Sequence, residues 1–276
     1  MKLGGMTPYT NMTDYMKTCI DIGYAAVVYP CEAAGDNATR DTFLAACKAH
    51  HLLIAEMGIW RNAVSPDEAE RRDAVAFSKE RLALADEIGA ACCVNISGAA
   101  GPLWDAPYRE NYAADHYALV VDTVREIIDA VKPTRTVYAL EPMPWMLPSS
   151  IEEYQRLLSA IDRPAFGVHM DLANLICSPQ RYFGFVAFAR EFIRTLGGSI
   201  VSCHLKDVLL MPELTTHLQE RAPGLGGLDL GALLGMIHSQ LPADTPVMLE
   251  HLPDEAAYDA AAAHVRGLAE TAGIPL

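Results

Sequence analysis

Residues 136–171, TVYALEPMPWMLPSSIEEYQRLLSAIDRPAFGVHMD, hold one full period of the chain's plan. Thr136–Met143 opens as a nearly continuous apolar run, as expected of a parallel strand covered on both faces. A proline-containing turn follows. Ser150 then precedes IEEYQRLLSAI, with Glu153 three residues further on, which is a capping box opening a helix. Phe166–Asp171 is the next apolar run. A strand, a helix and a second strand in this order make a parallel crossover unit.

The same alternation extends in both directions. Strands are expected at Lys2–Met6, Tyr24–Pro30, Leu52–Trp60, Cys92–Gly98, Thr136–Met143, Phe166–Asp171, Ile200–Asp207 and Pro246–Leu252. Helices are expected at Thr13–Ile22, Arg40–His51, from Ser65 to Gly89 with Pro66 at the first helical position, and at Glu110–Val131. Ile151–Ile161, Tyr182–Leu196, Leu230–Leu241 and Asp254–Ala272 complete the set. Strict alternation of eight such units predicts an α/β protein, a (β/α)8 barrel, as one domain over residues 1–276. A doubly wound sheet would usually show a phosphate-binding glycine turn after its first strand. The first strand here runs into GGMTPYT, which is no such turn.

Composition excludes several classes. Hydrophobic residues make up 51% of the 276, enough for a sizeable core. Thirty-five acidic against 21 basic residues leave a net charge of −14, and no basic cluster stands out, so no nucleic-acid partner is expected. No uncharged apolar run reaches about 18 residues, so no membrane partner is expected either. The seven cysteines (Cys19, Cys31, Cys47, Cys92, Cys93, Cys177 and Cys203) are odd in number and form no CxxC pair. They read as reduced thiols of a cytoplasmic protein, mostly buried, with Cys177 the one to expect exposed.

Active sites of such barrels lie at the C-terminal strand ends. The last four strands end in YALEPMPW, GVHMDLAN, SCHLKD and VMLEHL. They deliver Glu141, Asp171, His204 and Glu250 to one end of the barrel. Crowded in a narrow barrel, three carboxylates repel one another, and a divalent cation resolves the conflict. Three carboxylates and one imidazole suit one divalent metal ion, Mn²⁺ first, with Mg²⁺, Co²⁺ or Zn²⁺ as alternatives. A structural salt-bridge network is the rival reading.

The segments Leu140–Pro142 (LEP), HMDLAN, His204–Asp207 (HLKD), Gly224–Asp229 (GLGGLD), Leu249–His251 (LEH) and Gly58–Arg72 resemble the xylose isomerase-like barrel superfamily over nearly the whole chain. That superfamily holds sugar isomerases and epimerases, inosose dehydratase and the family-two apurinic endonucleases. The resemblance implies a Glu-Asp-His-Glu metal site, which falls on Glu141, Asp171, His204 and Glu250. Two departures matter. Asn174 and Asn95 stand where the endonuclease branch would want histidines. The free-ketose 3-epimerases carry a second Glu soon after the fifth strand, whereas here PMPWMLPSS brings no acid before Glu152.

Lys206, two residues after His204, is expected beside the metal as an aid to catalysis, with an ion pair to Asp207 or another acid as the alternative. His169 is expected one layer deeper, supporting a ligand or touching substrate. Glu56 shares parity with Gly58 and Trp60 and is expected as a supporting acid or substrate contact. Trp60 and Trp145, near strand ends, are candidates to stack on a sugar. His251 is expected to face the helices, or at most to touch a loop edge. Gly224 and Gly226 are expected at positive φ, and His217 on a lid. Together these imply a small-molecule carbohydrate substrate, unphosphorylated, and an isomerase or epimerase that removes a proton beside a carbonyl. Glu141 or Glu250 would be the base, and a metal-stabilised enediolate the intermediate. The alternative is a lyase or dehydratase acting on a keto-sugar or 3-keto-glycoside. A non-catalytic sugar-binding or partner subunit and an apurinic-site endonuclease are weaker readings. A homo-oligomer is compatible with the sequence, though no interface is legible.

Overall fold

The computed structural model describes residues 1–30, 33 and 36–276, so Cys31 lies outside the described residues. In chain order the elements are β1 (Lys2–Gly5), α1 (Met12–Ile22), β2 (Ala26–Tyr29), α2 (Asn37–His50), β3 (Leu53–Gly58), α3 (Glu68–Ile88) and β4 (Cys92–Asn95). Then come α4 (Ala114–Val131), β5 (Val137–Leu140), α5 (Ile151–Ile161), β6 (Phe166–Asp171), α6 (Pro179–Phe183), α7 (Phe185–Leu196) and β7 (Ile200–Leu205). The chain finishes with β8 (Asp207–Met211), β9 (His217–Arg221), α8 (Leu230–Gln240), β10 (Pro246–Leu249) and α9 (Glu255–Thr271). Eight parallel strands close a barrel in the order β1-β10-β7-β6-β5-β4-β3-β2. This is the expected (β/α)8 architecture.

Strand parity divides the side chains. One parity of each strand meets the surrounding helices in the main core, for instance Val27 and Tyr29, Tyr138 and Leu140, Val247 and Leu249. Helix α5 answers with Ile151, Tyr154, Leu157 and Ile161, one apolar stripe at three- and four-residue steps. The other parity points into the barrel, where small residues dominate. Cys92, Val94 and Ala139 form a separate cluster there. A Cβ on Gly4 would come within 2.5 Å of Met248 Cε, and one on Gly167 within 2.9 Å of Val201 Cγ1. The lower interior is thus filled by close approach, and the polar residues sit above it.

Several boundaries differ from expectation for local reasons. Helix α3 starts at Glu68 because Asp67 is its cap, accepting from the N–H groups of Ala69 and Glu70, while Ser65 and Pro66 lie before it. The Glu110–Val131 stretch breaks at Ala113 into a 3-10 turn (Arg109–Tyr112) and α4. Tyr182–Leu196 breaks at Gly184. At α5, Ser150 Oγ accepts from Glu153 N, yet the Glu153 carboxylate turns back to Ser149 N and Oγ.

The unforeseen element is the antiparallel hairpin β8–β9, outside the barrel. Asp207 does not end the seventh strand but begins this hairpin. Its buried carboxylate accepts four backbone N–H groups, those of Val208, Gly224, Gly226 and Leu228, at 2.8–3.1 Å. The GLGGLD turn is thereby tied to the hairpin and delivers Asp229 as the cap of α8. Gly224 takes φ +91° as expected, but Gly226 is not among the positive-φ glycines. Its requirement is space, since a Cβ there would lie 2.2 Å from Asp207 Oδ1. Asp207→Ala is expected to lower the unfolding free energy by about 3 kcal/mol, because it strands several buried donors. Amide exchange at Gly226 and Leu228 should accelerate first. Equal protection in both proteins would count against this anchoring role.

Candidate active site

β5, β6, β7 and β10 are consecutive neighbours around the barrel, and their C-terminal ends carry the expected acids and histidine. Glu141 Oε1, Asp171 Oδ2 and Glu250 Oε2 lie 3.3, 3.6 and 3.0 Å from His204 Nδ1. All four residues are buried, and one donor atom from each falls within 4.8 Å of the other three. Asn174 orients two of them. Its side-chain amide donates to Glu141 Oε1 at 3.0 Å, and its backbone N–H donates to Asp171 Oδ1 at 3.2 Å.

Beneath the set, Glu56 is fully buried. Its Oε1 accepts from His169 Nε2 at 3.0 Å and from Ser202 Oγ, and its Oε2 accepts from His204 Nε2 at 3.2 Å. A carboxylate can only accept, so His204 carries a proton on Nε2, and its Nδ1 faces the three acids above. His169 does not line the pocket; its ring packs edge-on against His204. It therefore lies one layer down, supporting Glu56, and is not a substrate contact.

Lys206 meets the same three oxygens. Its Nζ is 2.8 Å from Asp171 Oδ2, 2.6 Å from Glu250 Oε2 and 3.8 Å from Glu141 Oε1. It does not pair with Asp207, which the hairpin occupies. The charges set each other's protonation. Burial works against the His204 imidazolium, but Glu250, Glu56 and Glu141 outweigh it and hold the proton well above the ordinary histidine range. Lys206 is raised in the same way by Asp171, Glu250 and Glu141 against the cost of burial. Burial pushes Asp171 up, but Lys206 and His204 together hold it well below the usual carboxylate range. Glu141 goes the other way: burial and the neighbouring Glu250 exceed the pull of His204 and Lys206, and its carboxyl is raised.

This donor set fits a hard divalent cation. Asp171 Oδ2, Glu250 Oε2 and Lys206 Nζ are buried and close, yet none makes a hydrogen bond of good geometry. Three converging carboxylate oxygens, met here by the Lys206 ammonium, are the kind of donors that such a cation takes.

A cavity of about 640 Å³ opens above the set. All three tryptophans of the chain, Trp60, Trp104 and Trp145, line it. Trp145 is fixed by its indole N–H donating to the Asp105 carbonyl at 2.7 Å. Trp60 sits at φ +51°, in a turn that Asn95 clasps through the N–H and C=O of Arg61. Gly58 makes room for the indole, since a Cβ there would lie 2.2 Å from Trp60 Nε1. No lysine or arginine is among the described residues that line the cavity, whereas Glu141, Glu220 and Glu250 are.

Two groups at this site escaped the sequence reading, and a third, His251, was expected at most at a loop edge. Trp104 stands in an irregular loop with no motif around it. Glu220 arrives on the unforeseen hairpin. His251 leaves strand parity, because φ +57° turns it from the helices to the pocket wall. His217 is exposed and pairs with Glu213 rather than covering the site. Of the cysteines described, Cys177 is exposed and the others are buried, as expected.

Residues 16–268 match the family model described as a xylose isomerase-like TIM barrel. The chain belongs to that family. None of the curated proteins compared matches it. Among solved structures, this xylose isomerase-like barrel is similar to 3-keto-D-glucoside 4-epimerase from E. coli (15% identity, 97% of this chain and 99% of that one, TM-score 0.75). It is also similar to the probable 3-DHS dehydratase of petrobactin synthesis from Bacillus anthracis (14%, 95% and 94%, 0.72). A third is a xylose isomerase-like TIM barrel protein from Mycobacterium smegmatis in complex with magnesium (14%, 98% and 94%, 0.70). At these identities the likeness is one of fold. No helix among the described residues is long and apolar enough to cross a membrane.

Proposed function

We propose that this protein is a divalent-metal-dependent isomerase or epimerase that moves a proton at the carbon beside a carbonyl of a neutral sugar. One observation carries the reading. Glu141 and Glu250 both line the cavity, from the ends of β5 and β10 with two strands between them, so two carboxylates are within reach of one substrate. Glu141, Asp171, His204 and Glu250 would hold Mn²⁺ or Mg²⁺, whose charge acidifies the C–H beside a carbonyl oxygen. Glu141, which lines the cavity floor, takes the proton. Glu250 stands on the other side of the set to return one. Lys206 supports negative charge that develops on the substrate oxygen. Asn174 and Glu56 keep Glu141 and His204 aimed. Trp60 and Trp145 stack on the apolar faces of the sugar ring and keep water out.

The acids that line the cavity and the lack of a lysine or arginine among its described lining residues favour an uncharged substrate. In D₂O with Mn²⁺, the protein is expected to place deuterium beside the carbonyl of a neutral ketose or 3-keto-glucoside with the carbon skeleton retained. The 6-phosphate of the same sugar should show about 100-fold lower kcat/KM, because like charges would be brought together. Absence of exchange across a panel of both classes would sink the reading, and a preference for the phosphates would sink its substrate class.

A further inference from the structure

The cavity lining changes character away from the donor set. Ile96, after β4, belongs to a small buried cluster with Ala99 and Met146, and Trp60, Trp104 and Met143 pack against that cluster. Ile96, Trp60, Trp104 and Met143 all line the cavity. Trp60 also packs on the Cys92, Val94 and Ala139 cluster below, so this wall continues into the barrel interior. Its other end begins at the donor set. Met143 Sδ lies 3.8 Å from the Asn174 side-chain nitrogen that donates to Glu141 Oε1.

The loop that carries Trp104 is clasped by two buried asparagines. Asn111 accepts from Ala100 N at 2.9 Å and donates to the carbonyls of Ala106 at 3.1 Å and Trp145 at 2.9 Å. Asn62 donates to the Ala99 carbonyl at 2.9 Å, and Ala99 N donates to the Trp104 carbonyl at 2.9 Å. The loops after β4 and β5 are thereby joined into one preformed wall, which has little left to order when a ligand meets it.

Ile96, Trp104 and Met143 carry no hydroxyl, carboxylate or amide. A sugar hydroxyl turned towards them would lose its water without gaining a good acceptor. A flat apolar group would gain buried area and ring contact. The cavity has the room for one. Its volume of about 640 Å³ falls in the ~300–1,000 Å³ range of sites that enclose drug-sized ligands, more than one sugar ring requires.

We infer that Trp104, with Ile96 and Met143, forms a specificity-determining subsite for a flat apolar aglycone, so that the substrate is an arylalkyl or aryl glycoside and not a free sugar. The inference rests on the reading above, which sets the sugar carbonyl over the donor set, and it names the substrate class of that same site. The sugar ring takes the polar end of the cavity, and the aglycone extends towards the loop after β4.

Methyl, benzyl and glucosyl 3-keto-glucosides share the reacting ring and differ only at the aglycone. Kd by calorimetry and deuterium exchange beside the carbonyl are measured for each with the Mn²⁺-loaded wild type, Trp104→Ala and Trp104→Phe. The wild type is expected to bind the benzyl compound about 30-fold more tightly than the methyl one. Its kcat for exchange should agree within about twofold between the two, because the aglycone is bound equally in ground and transition states. Trp104→Ala should abolish the preference while changing the affinity for the methyl compound by less than about twofold, and Trp104→Phe should keep most of the preference. Equal wild-type affinity for benzyl and methyl, or a preference for the glucosyl compound, would overturn the inference. So would an equal loss for all three aglycones in Trp104→Ala, which is what a merely shaping role produces. A wild type that prefers the benzyl compound in binding but exchanges no proton in any of them would keep the subsite and remove the proton-abstraction reading. One that exchanges a free ketose and binds none of the three would keep that reading and remove the subsite.

Discussion

Glu141→Gln is expected to lower turnover by about 10³-fold at saturating Mn²⁺ with the fold intact. The amide keeps the size of the carboxylate, and the Glu141 backbone N–H still donates to the Asn95 carbonyl. What is lost is a group that can carry a proton at the cavity floor. Glu141 is also expected to be a metal ligand, so the variant must separate two effects. A weakened ligand raises the concentration of Mn²⁺ needed for half-maximal activity, and more metal then restores the rate. A missing base lowers kcat at every metal concentration. The expected outcome is a higher half-saturation together with a kcat that added metal does not recover. Full recovery at high Mn²⁺ would reduce Glu141 to a ligand and pass the base role to Glu250. The place of Glu141 in the cavity lining, beside the donor set, is the reason to expect the first result.

The barrel and the donor set were legible because each follows from a local rule. Apolar runs alternating with capped helices specify βα units, and the last residue of inward parity on each strand must emerge at the site. Glu141, Asp171, His204 and Glu250 needed nothing more. Lys206 was found by the same two-residue step, although its partners are the ligand acids and not Asp207. What parity could not reach lies where the backbone leaves the strand. His251 and Trp60 both take positive φ without being glycines, so their side chains go where alternation does not send them. Glu220 depends on a hairpin whose anchor, Asp207, binds backbone groups nearly twenty positions along the chain, at Gly224, Gly226 and Leu228. No periodicity announces a contact of that kind. Asn174 was visible only as a missing histidine, and its work is to aim two carboxylates.

Lys206→Met tests whether the ammonium and a divalent cation share one task. Without metal, the wild type balances three buried carboxylates with Lys206 and a protonated His204. Methionine keeps much of the bulk of the stem but removes the charge from Asp171 Oδ2 and Glu250 Oε2. Breaking a buried pair by deleting one partner costs about 3–5 kcal/mol, because the other charge stays behind. The variant in EDTA should therefore unfold at a clearly lower urea concentration than the wild type. A divalent cation supplies the missing charge at the same oxygens, and a ligand that binds only the folded state stabilises it by about 2.7 kcal/mol at one hundred times its Kd. In the wild type the incoming ion competes with the ammonium for Glu141, Asp171 and Glu250, whereas in the variant it does not. Mn²⁺ should accordingly bind Lys206→Met more tightly and raise its unfolding midpoint by more than it raises that of the wild type. Equal midpoint shifts in the two proteins would mean that the ion and the ammonium occupy separate places. A variant more stable than the wild type in EDTA would mean that burying Lys206 costs more than its three contacts return.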